Sequence, residues 1–526
     1  MENAYLYFVI LPVYALSLLA LAMTFKKAGV AWWKALVPVL NIVEVNKLTG
    51  RPVWRTILFF IPVINFIMMV QAILDLARSF GRHGFFDHLC AVVVPYLYFL
   101  YIGFSKNVKY AGKWKDMMAE YHEKHKKREL REWADAILFA GASAVLIRTY
   151  MIEAFMIPTT SMEGTLKAGD FLFVSKMSYG VRMPMIPLAM PFVHNSLPLM
   201  PGVKSYSSWP QLPYFRTPGF GKVERNDAVV FNYPDDDEHP DVPILGPVPE
   251  TPMKQNYIKR CVGIPGDSLQ VKSGVLYVNG KPAWRHPKAQ QGYDVIDSLG
   301  ALRLKTKPLQ KLGFRLDLLA DYKWNLSKFA QEINNKQVNP DSYANDDFKP
   351  GGRFSNSYEV YASDERIAKL KEQFPSLDIR PRIETEVQDG HEIDPKYKIF
   401  PKELKQFPWT NDNFGPIYIP QKGKTVAINR KVLPLYRKII EVYEGHELRL
   451  ADGAIYIDGK VATEYTFEKD YYWMMGDNRD ASLDARYFGY TPEDHIIGKP
   501  ILVLFSWDGG PVWERFFRGP AAWEPE

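Results

Sequence analysis

Three short stretches hold residue types that can perform acyl-transfer chemistry. The first, residues 155–173, reads FMIPTTSMEGTLKAGDFLF. An apolar run ends at Pro158; Thr159, Thr160 and Ser161 follow, with Gly164 and Gly169 close behind. A Ser just beyond an apolar segment, flanked by turn-formers, sits where the backbone can turn sharply and an N–H can point at a developing oxyanion. Such a Ser also reads as a plain turn or cap residue, so it needs partners. The second stretch, residues 256–267 (NYIKRCVGIPGD), sets Lys259 in a β run ended by Gly263, Pro265 and Gly266. A strand Lys is ordinarily a solvent-facing charge. Buried beside apolar groups, its pKa falls by up to about five pH units, and a neutral amine accepts a proton from a Ser hydroxyl. The third stretch, residues 476–489 (GDNRDASLDARYFG), is dense in turn residues and charges. Ser482 is expected to hydrogen-bond the Lys amine and hold its rotamer. Asp484 and Arg486 are two apart, so on a strand they share a face and form a supporting ion pair.

These stretches sit in a chain of two characters. The 526 residues are enough for two to four domains, and 47% of them are hydrophobic and 14% aromatic. Mean hydropathy is only -0.20, so the apolar residues are unevenly spread. The formal charge of +6 does not argue for nucleic acid, and two cysteines, Cys90 and Cys261, do not make a disulfide framework.

The apolar residues gather in the first third. Residues 5–24 carry no charge and are long enough, at about 1.5 Å per residue, to cross a bilayer. Glu2 precedes them and Lys26 and Lys27 follow, which favours a retained helix over a cleaved leader. Residues 32–45 are shorter and amphipathic, suited to an interface. Residues 56–74 and 89–105 are two more uncharged runs of spanning length, with Pro62 and Pro95 inside them. From 106 to 131 the chain turns basic, with Lys106, Lys109, Lys113, Lys115, Lys124, Lys126, Lys127, Arg128 and Arg131, as a cytoplasmic loop or a solvated helix face does. Residues 133–152 form a fourth apolar segment, interrupted near its ends by Asp135 and Arg148. With the basic loop inside, this helix delivers Ser161 to the outer surface. The same topology puts Arg78 and Arg82 in a short outer loop, against the positive-inside tendency.

Beyond Pro158 the pattern becomes short β runs punctuated by Gly and Pro: FLFVSKM, DAVVFNY, YIKRCVGI, ILVLFSW. Two stretches, GVLYVNGK (274–281) and GAIYIDGK (453–460), repeat a β run followed by an Asn-Gly or Asp-Gly turn of type I′ character. Between them a polar stretch, residues 285–445, carries helical patches at 364–374 and 435–443 and reads as an inserted α+β subdomain. The expected organisation is a membrane domain (1–105) with about three transmembrane helices, a basic cytoplasmic loop (106–131), and a transmembrane helix leading into the site (132–157). A mainly-β extracytoplasmic catalytic domain follows in two parts (158–284 and 446–512) around the insertion (285–445), with a tail at 513–526.

PTTSMEGTLKAGD, YIKRCVGIPGD and GDNRDASLDARYFG together, in that order, resemble the type I signal peptidases, as does KVERNDAVVFNYP at 222–234. The resemblance covers residues 133–284 and 465–508. By position it implies Ser161 as nucleophile and Lys259 as general base. Thr159 matches the hydroxyl that binds the oxyanion together with the Ser161 N–H. Ser482 matches the residue that orients the Lys, Asp484 and Arg486 the structural pair near the site, and Met162 the neighbour that shapes the substrate pocket. Gly164 stands where many members have Pro, and Ala485 where a small polar residue is common. The family's activity is cleavage of signal peptides from exported preproteins at the cytoplasmic membrane, without metal or organic cofactor. Preproteins, membrane lipids and the export machinery are the implied partners.

Other chemistries remain to be weighed. Cys261 lies two residues from Lys259, a setting for a reactive thiolate. His122, Glu123 and His125 are too close for a zinc-protease helix motif, and the acidic run Asp235, Asp236, Asp237, Glu238 with His239 reads as a solvated loop before a cation site. The alternative of another class is a catalytically inactive membrane-anchored binding protein associated with secretion. Such a copy is expected to lose Ser161 or Lys259 first, and both are present.

Overall fold

The computed structural model describes residues 11–61, 64–124, 129–190, 193, 196–197, 200–234, 251–297, 356–385 and 398–524. The chain divides into two compact units, Met1–Ala154 with Ser175–Gly221, and Phe155–Val174 with Lys222–Glu526.

The first unit is helical up to Tyr150, with a strand pair Ser196–Leu197 and Met200–Lys204 in its second segment, and its apolar runs break more often than hydropathy suggests. Helix Leu11–Lys27 covers the described part of the first run and ends on Lys26 and Lys27, where cations oppose the helix dipole. The Lys27 ammonium also donates to the Ile102 carbonyl at 2.8 Å. The stretch expected to lie in an interface is two pieces, a 3₁₀ turn Trp32–Leu36 and helix Leu40–Thr49. The run at 56–74 splits into a 3₁₀ segment Val53–Phe60 and helix Ile64–Ser79. The run at 89–105 is not one helix either: Phe85–Val93 and Pro95–Phe104 meet at 119°. Val94 precedes a proline, which disfavours the helical region, and it adopts φ -131°, ψ 59°. Among the described residues no single helix is long and apolar enough to cross a membrane; only that bent pair, taken together, has the length and composition.

The basic segment contributes helix Trp114–Lys124, on which Lys115 is exposed; the side chains of His122, Glu123 and His125 lie outside the described residues. Arg78, expected in an outer loop, belongs to helix Ile64–Ser79 and pairs with the buried Asp75, which Arg51 also contacts at 2.7 Å. Helix Glu129–Tyr150 then runs 22 residues into the first strand.

The second unit is mainly β. The principal sheet of the chain contains β1 (Ile152–Met156), β2 (Asp170–Ser175), β3 (Ala228–Asn232), β4 (Asn256–Gly263), β5 (Tyr471–Met475), β6 (Thr491–Pro492) and β7 (Ile496–Ser506), in the order β1-β2-β7-β3-β4-β5-β6. Strand β3, AVVFN, is buried at every residue, as a short apolar β-branched run in mid-sheet should be. It pairs antiparallel with β4, which places Val229 opposite Lys259. Between β1 and β2 the chain makes a loop closed at its neck, where Ile157 N donates to Asp170 O and Gly169 N to Ile157 O. Met162 and Leu166 turn inward from this loop to pack with Leu172, Val174, Val230 and Trp523.

The two similar hairpins fold alike. In Ser268–Lys272, Val275–Val278 and Lys281–Pro282, the turn residues Asn279 and Gly280 have φ 52° and 76°; in Leu448–Ala451, Ala454–Ile457 and Lys460–Val461, Asp458 and Gly459 have 49° and 76°. Both suit the type I′ turn the sequence implies. Within residues 285–445, strands Gln291–Asp297, Asn356–Ala362 and Asp378–Pro381 form a sheet with the first in the middle. Helix Asp364–Gln373 buries Ile367 and Leu370 in a small core with Val295 and Ile379. Farther on, Phe414–Tyr418 pairs with Ser268–Lys272, so this part of the insertion adds a strand to the first hairpin's sheet. Residues 298–355, 386–397 and the acidic run at 235–239 lie outside the described residues.

Candidate active site

Ser161 and Lys259, 98 residues apart, meet in the second unit. Lys259 Nζ donates to Ser161 Oγ at 2.5 Å; with the amine neutral, the hydroxyl donates along the same contact. Strand β4 carries Lys259 into the interior, where it is 2% exposed. Burial among apolar neighbours lowers its pKa from 10.5 to about 8, against the partial restoring pull of Asp484 and Asp477. The Tyr257 ring, on the same side of β4, lies 5.2 Å from the amine. The lysine is therefore the buried, deprotonatable kind.

The Ser161 turn is held from several sides. Thr159 is exposed, and its hydroxyl lies 3.4 Å from Ser161 Oγ. Thr165 Oγ1 donates to Asp477 at 2.7 Å, and Asp170 receives the Arg515 guanidinium in a buried pair. Gly164 has φ +96°, and a Cβ there would stand 1.9 Å from Lys288 O. Gly164 thus makes a left-handed turn that proline, locked near φ -65°, does not adopt. Met162, expected to help shape a substrate pocket, is wholly buried in the core and anchors the turn from behind.

The third motif differs from expectation in two ways. Asp484 and Arg486 do pair, with Nε–Oδ1 and Nη2–Oδ2 both 2.9 Å, but not across a strand face. Asp484 is the N-cap of a short helix, Ala485–Phe488, and accepts from the backbone N–H of Arg486 as well as from Gly476 N. Burial disfavours its charge, yet the Arg486 guanidinium overrides that and keeps its pKa below the usual carboxylate range. Ser482 is buried beside Gly476, where an added Cβ would come 2.2 Å from its Oγ and 2.5 Å from Ser161 O. Its hydroxyl makes no hydrogen bond among the described residues, so the expected bond to the Lys259 amine is not formed.

Two groups of residues escaped the sequence reading. Arg260 and Asp477 form a fully buried fork, Nε–Oδ1 2.7 Å and Nη2–Oδ2 2.6 Å. Asn478 donates to the Thr160 carbonyl from its side chain (3.2 Å) and to the Ser161 carbonyl from its backbone (3.1 Å). The available signal was local: an Arg beside the key Lys and an Asp opening the charged turn. Cys261, by contrast, is buried, and burial beside Asp227 pushes its thiol up, away from thiolate character. Among the described residues no group of His, Cys, Asp and Glu is placed to hold a metal ion.

Compared with known proteins, the chain matches the family described as signal peptidase, peptidase S26, over residues 130–345 and 418–505, and a family of unknown function, DUF5684, over residues 33–113. It is similar to a signal peptidase I of Pseudomonas aeruginosa, 31% identical over 138 residues, which are 26% of this chain and 34% of that protein. A Pseudomonas fluorescens signal peptidase I is 33% identical over a stretch of the same extent. One from Rickettsia massiliae is 31% identical over 156 residues, 30% of this chain and 45% of the relative. The chain thus spans between about a third and a half of the length of the curated relatives it matches.

Proposed function

This chain belongs to the signal peptidase family, peptidase S26, and on that premise we propose that it is a serine endopeptidase that removes signal peptides from exported preproteins with a Ser161–Lys259 dyad. The observation that carries this reading is the 2.5 Å contact between the Ser161 hydroxyl and an amine whose burial brings its pKa down to about 8. The neutral Lys259 amine takes the Ser161 proton as Oγ bonds to the scissile carbonyl carbon. The resulting ammonium returns the proton to the departing amine nitrogen as the peptide bond breaks, leaving an acyl-enzyme. Lys259 then takes a proton from a water as that water attacks the ester carbonyl, and returns it to Ser161 Oγ as the C–Oγ bond breaks, freeing the acid product and the serine. The Ser161 N–H and the Thr159 hydroxyl serve the oxyanion, each donor worth about 3–4 kcal/mol of barrier. We assign Asp484 with Arg486 to hold the turn that carries the buried Ser482.

The substrate's extended cleavage region is taken up as an added strand along the sheet edge. Edge strand β1 lies next to the Ser161 loop and exposes Met156. The proposed setting is the cytoplasmic membrane, with the catalytic domain outside it. Exposed apolar side chains of the helical unit, among them Phe60, Phe86, Phe104, Trp133 and Ile137, support contact with lipid. Preproteins and lipids, and the export machinery with them, are the proposed partners. The test is cleavage of a labelled preprotein by purified protein in lipid. Wild type should cut at the signal-peptide junction, Ser161→Ala and Lys259→Ala should not, and Cys261→Ser should. Equal cleavage by wild type and Lys259→Ala would refute the dyad.

A further inference from the structure

The inserted sheet is joined to the serine turn by its root, residues 286–292. Lys288 N donates to His286 Nδ1 and Ala289 N to His286 O, so this root is itself a tight turn. Its carbonyl at Lys288 fills the space that a side chain at position 164 would occupy. Gln290 is 3% exposed and bridges in parallel to Asn478: Gln290 N donates to Asp477 O at 2.8 Å, and Arg479 N to Gln290 O at 3.0 Å. Two residues later, Gly292 N donates to Asp480 Oδ2 at 2.5 Å. Gly292 belongs to the middle strand of the inserted sheet, so Asp480 ties that sheet to the turn containing Asn478.

Asn478 faces the nucleophile's backbone. Its side-chain amide donates to Thr160 O, which also accepts from Glu163 N within the turn, and its backbone N–H donates to Ser161 O. In a trans peptide the carbonyl of residue 160 and the N–H of residue 161 lie in one plane and point in opposite directions. Holding Thr160 O on one side therefore aims the Ser161 N–H to the other, and a preorganised N–H is what an oxyanion site requires. Resting on the serine-peptidase reading, we propose that Asn478 is a positioning residue for the oxyanion N–H of Ser161, and that the root of the insertion, through Gln290 and Asp480, holds Asn478 in place. The insertion is then part of the catalytic framework.

The test compares wild type with Asn478→Ala, Asp480→Ala and Asp480→Asn, by cleavage kinetics and by amide hydrogen exchange of the segment containing residues 159–166. Asn478→Ala should lower kcat about tenfold or more with KM within about twofold, since a misaimed N–H is felt mainly in the transition state. Asp480→Ala should act in the same direction, and Asp480→Asn, which keeps an acceptor oxygen for Gly292 N–H, should recover most of the loss. In both Ala variants the 159–166 amides should exchange faster while those of β3 and β4 stay protected. Unchanged exchange at 159–166, or wild-type kcat in Asn478→Ala, would overturn the proposal. If Asp480→Ala fails to fold, Asn478→Ala, which deletes one side-chain amide only, carries the test. Cleavage that persists in Ser161→Ala would instead sink the serine reading, and the exchange measurement would still decide whether Asn478 and Asp480 order the turn.

Discussion

Arg260 and Asp477, 217 residues apart in sequence, meet as a fully buried fork between β4 and the turn that carries Asn478. Each is the chain neighbour of a group at the site: Arg260 follows Lys259, and Asp477 precedes Asn478. Asp477 also receives the Thr165 hydroxyl from the serine loop, and Arg260 also donates to the carbonyls of Asn226 and Trp523. One ion pair thus sets the spacing of three segments that have to come together.

Removing one side of this fork strands a buried charge. Arg260→Met or Asp477→Leu alone should destabilise the fold by about 3–5 kcal/mol, while the double replacement should be far less damaging. Denaturant titration of the two singles and the double checks this, through the non-additivity of their effects.

Cleavage should depend on pH through Lys259. Its ammonium form cannot accept a proton, so kcat/KM should climb as pH rises through about 8 and level off above. A pH profile of wild type that is flat between pH 6 and 9 would contradict the assignment of Lys259 as base.

The same lysine costs stability. The folded state gives up its proton near pH 8 and the unfolded chain near 10.5, so between these values the unfolded state binds more protons and stability rises with pH. Below pH 8 the full cost of burying the charge stands, on the order of 3 kcal/mol at about 1.4 kcal/mol per pH unit. Lys259→Met should therefore unfold at higher denaturant concentration than wild type at pH 7, with the advantage shrinking toward pH 10.5. Chemical denaturation at both pH values reads this directly.

Gly164→Ala should be far worse than Gly280→Ala. Both glycines have positive φ, and each substitution costs roughly 1 kcal/mol for that conformation. Only at 164 does the new methyl meet backbone, Lys288 O at 1.9 Å; at 280 nothing lies within 4 Å. Cleavage by Gly280→Ala should match wild type, and that by Gly164→Ala should drop at least about tenfold.

Short-range features were legible in the chain. The run AVVFN between Asp227 and Pro234 became a buried central strand, and Asn279-Gly280 and Asp458-Gly459 made the hairpin turns their composition demands. The apolar stretches at 56–74 and 89–105 were misleading in extent, because hydropathy averages over the break at Val94–Pro95 and over the 3₁₀ segment Val53–Phe60. Asp484 and Arg486 were rightly paired for the wrong reason, since a helix N-cap was mistaken for a strand.

By itself, the sequence determined which groups were available: a hydroxyl in a glycine-bearing turn, an amine on a strand, a charged loop far downstream. Tertiary structure alone decided that the amine's pKa falls to about 8, that Ser482 makes no hydrogen bond among the described residues, and that Gln290 bridges to Asn478. Residue type and spacing specify local conformation, because turns and strands close over a few residues. A pKa, or a hydrogen bond between segments up to hundreds of residues apart, depends on what the folded chain packs around an atom, and no local pattern contains that information.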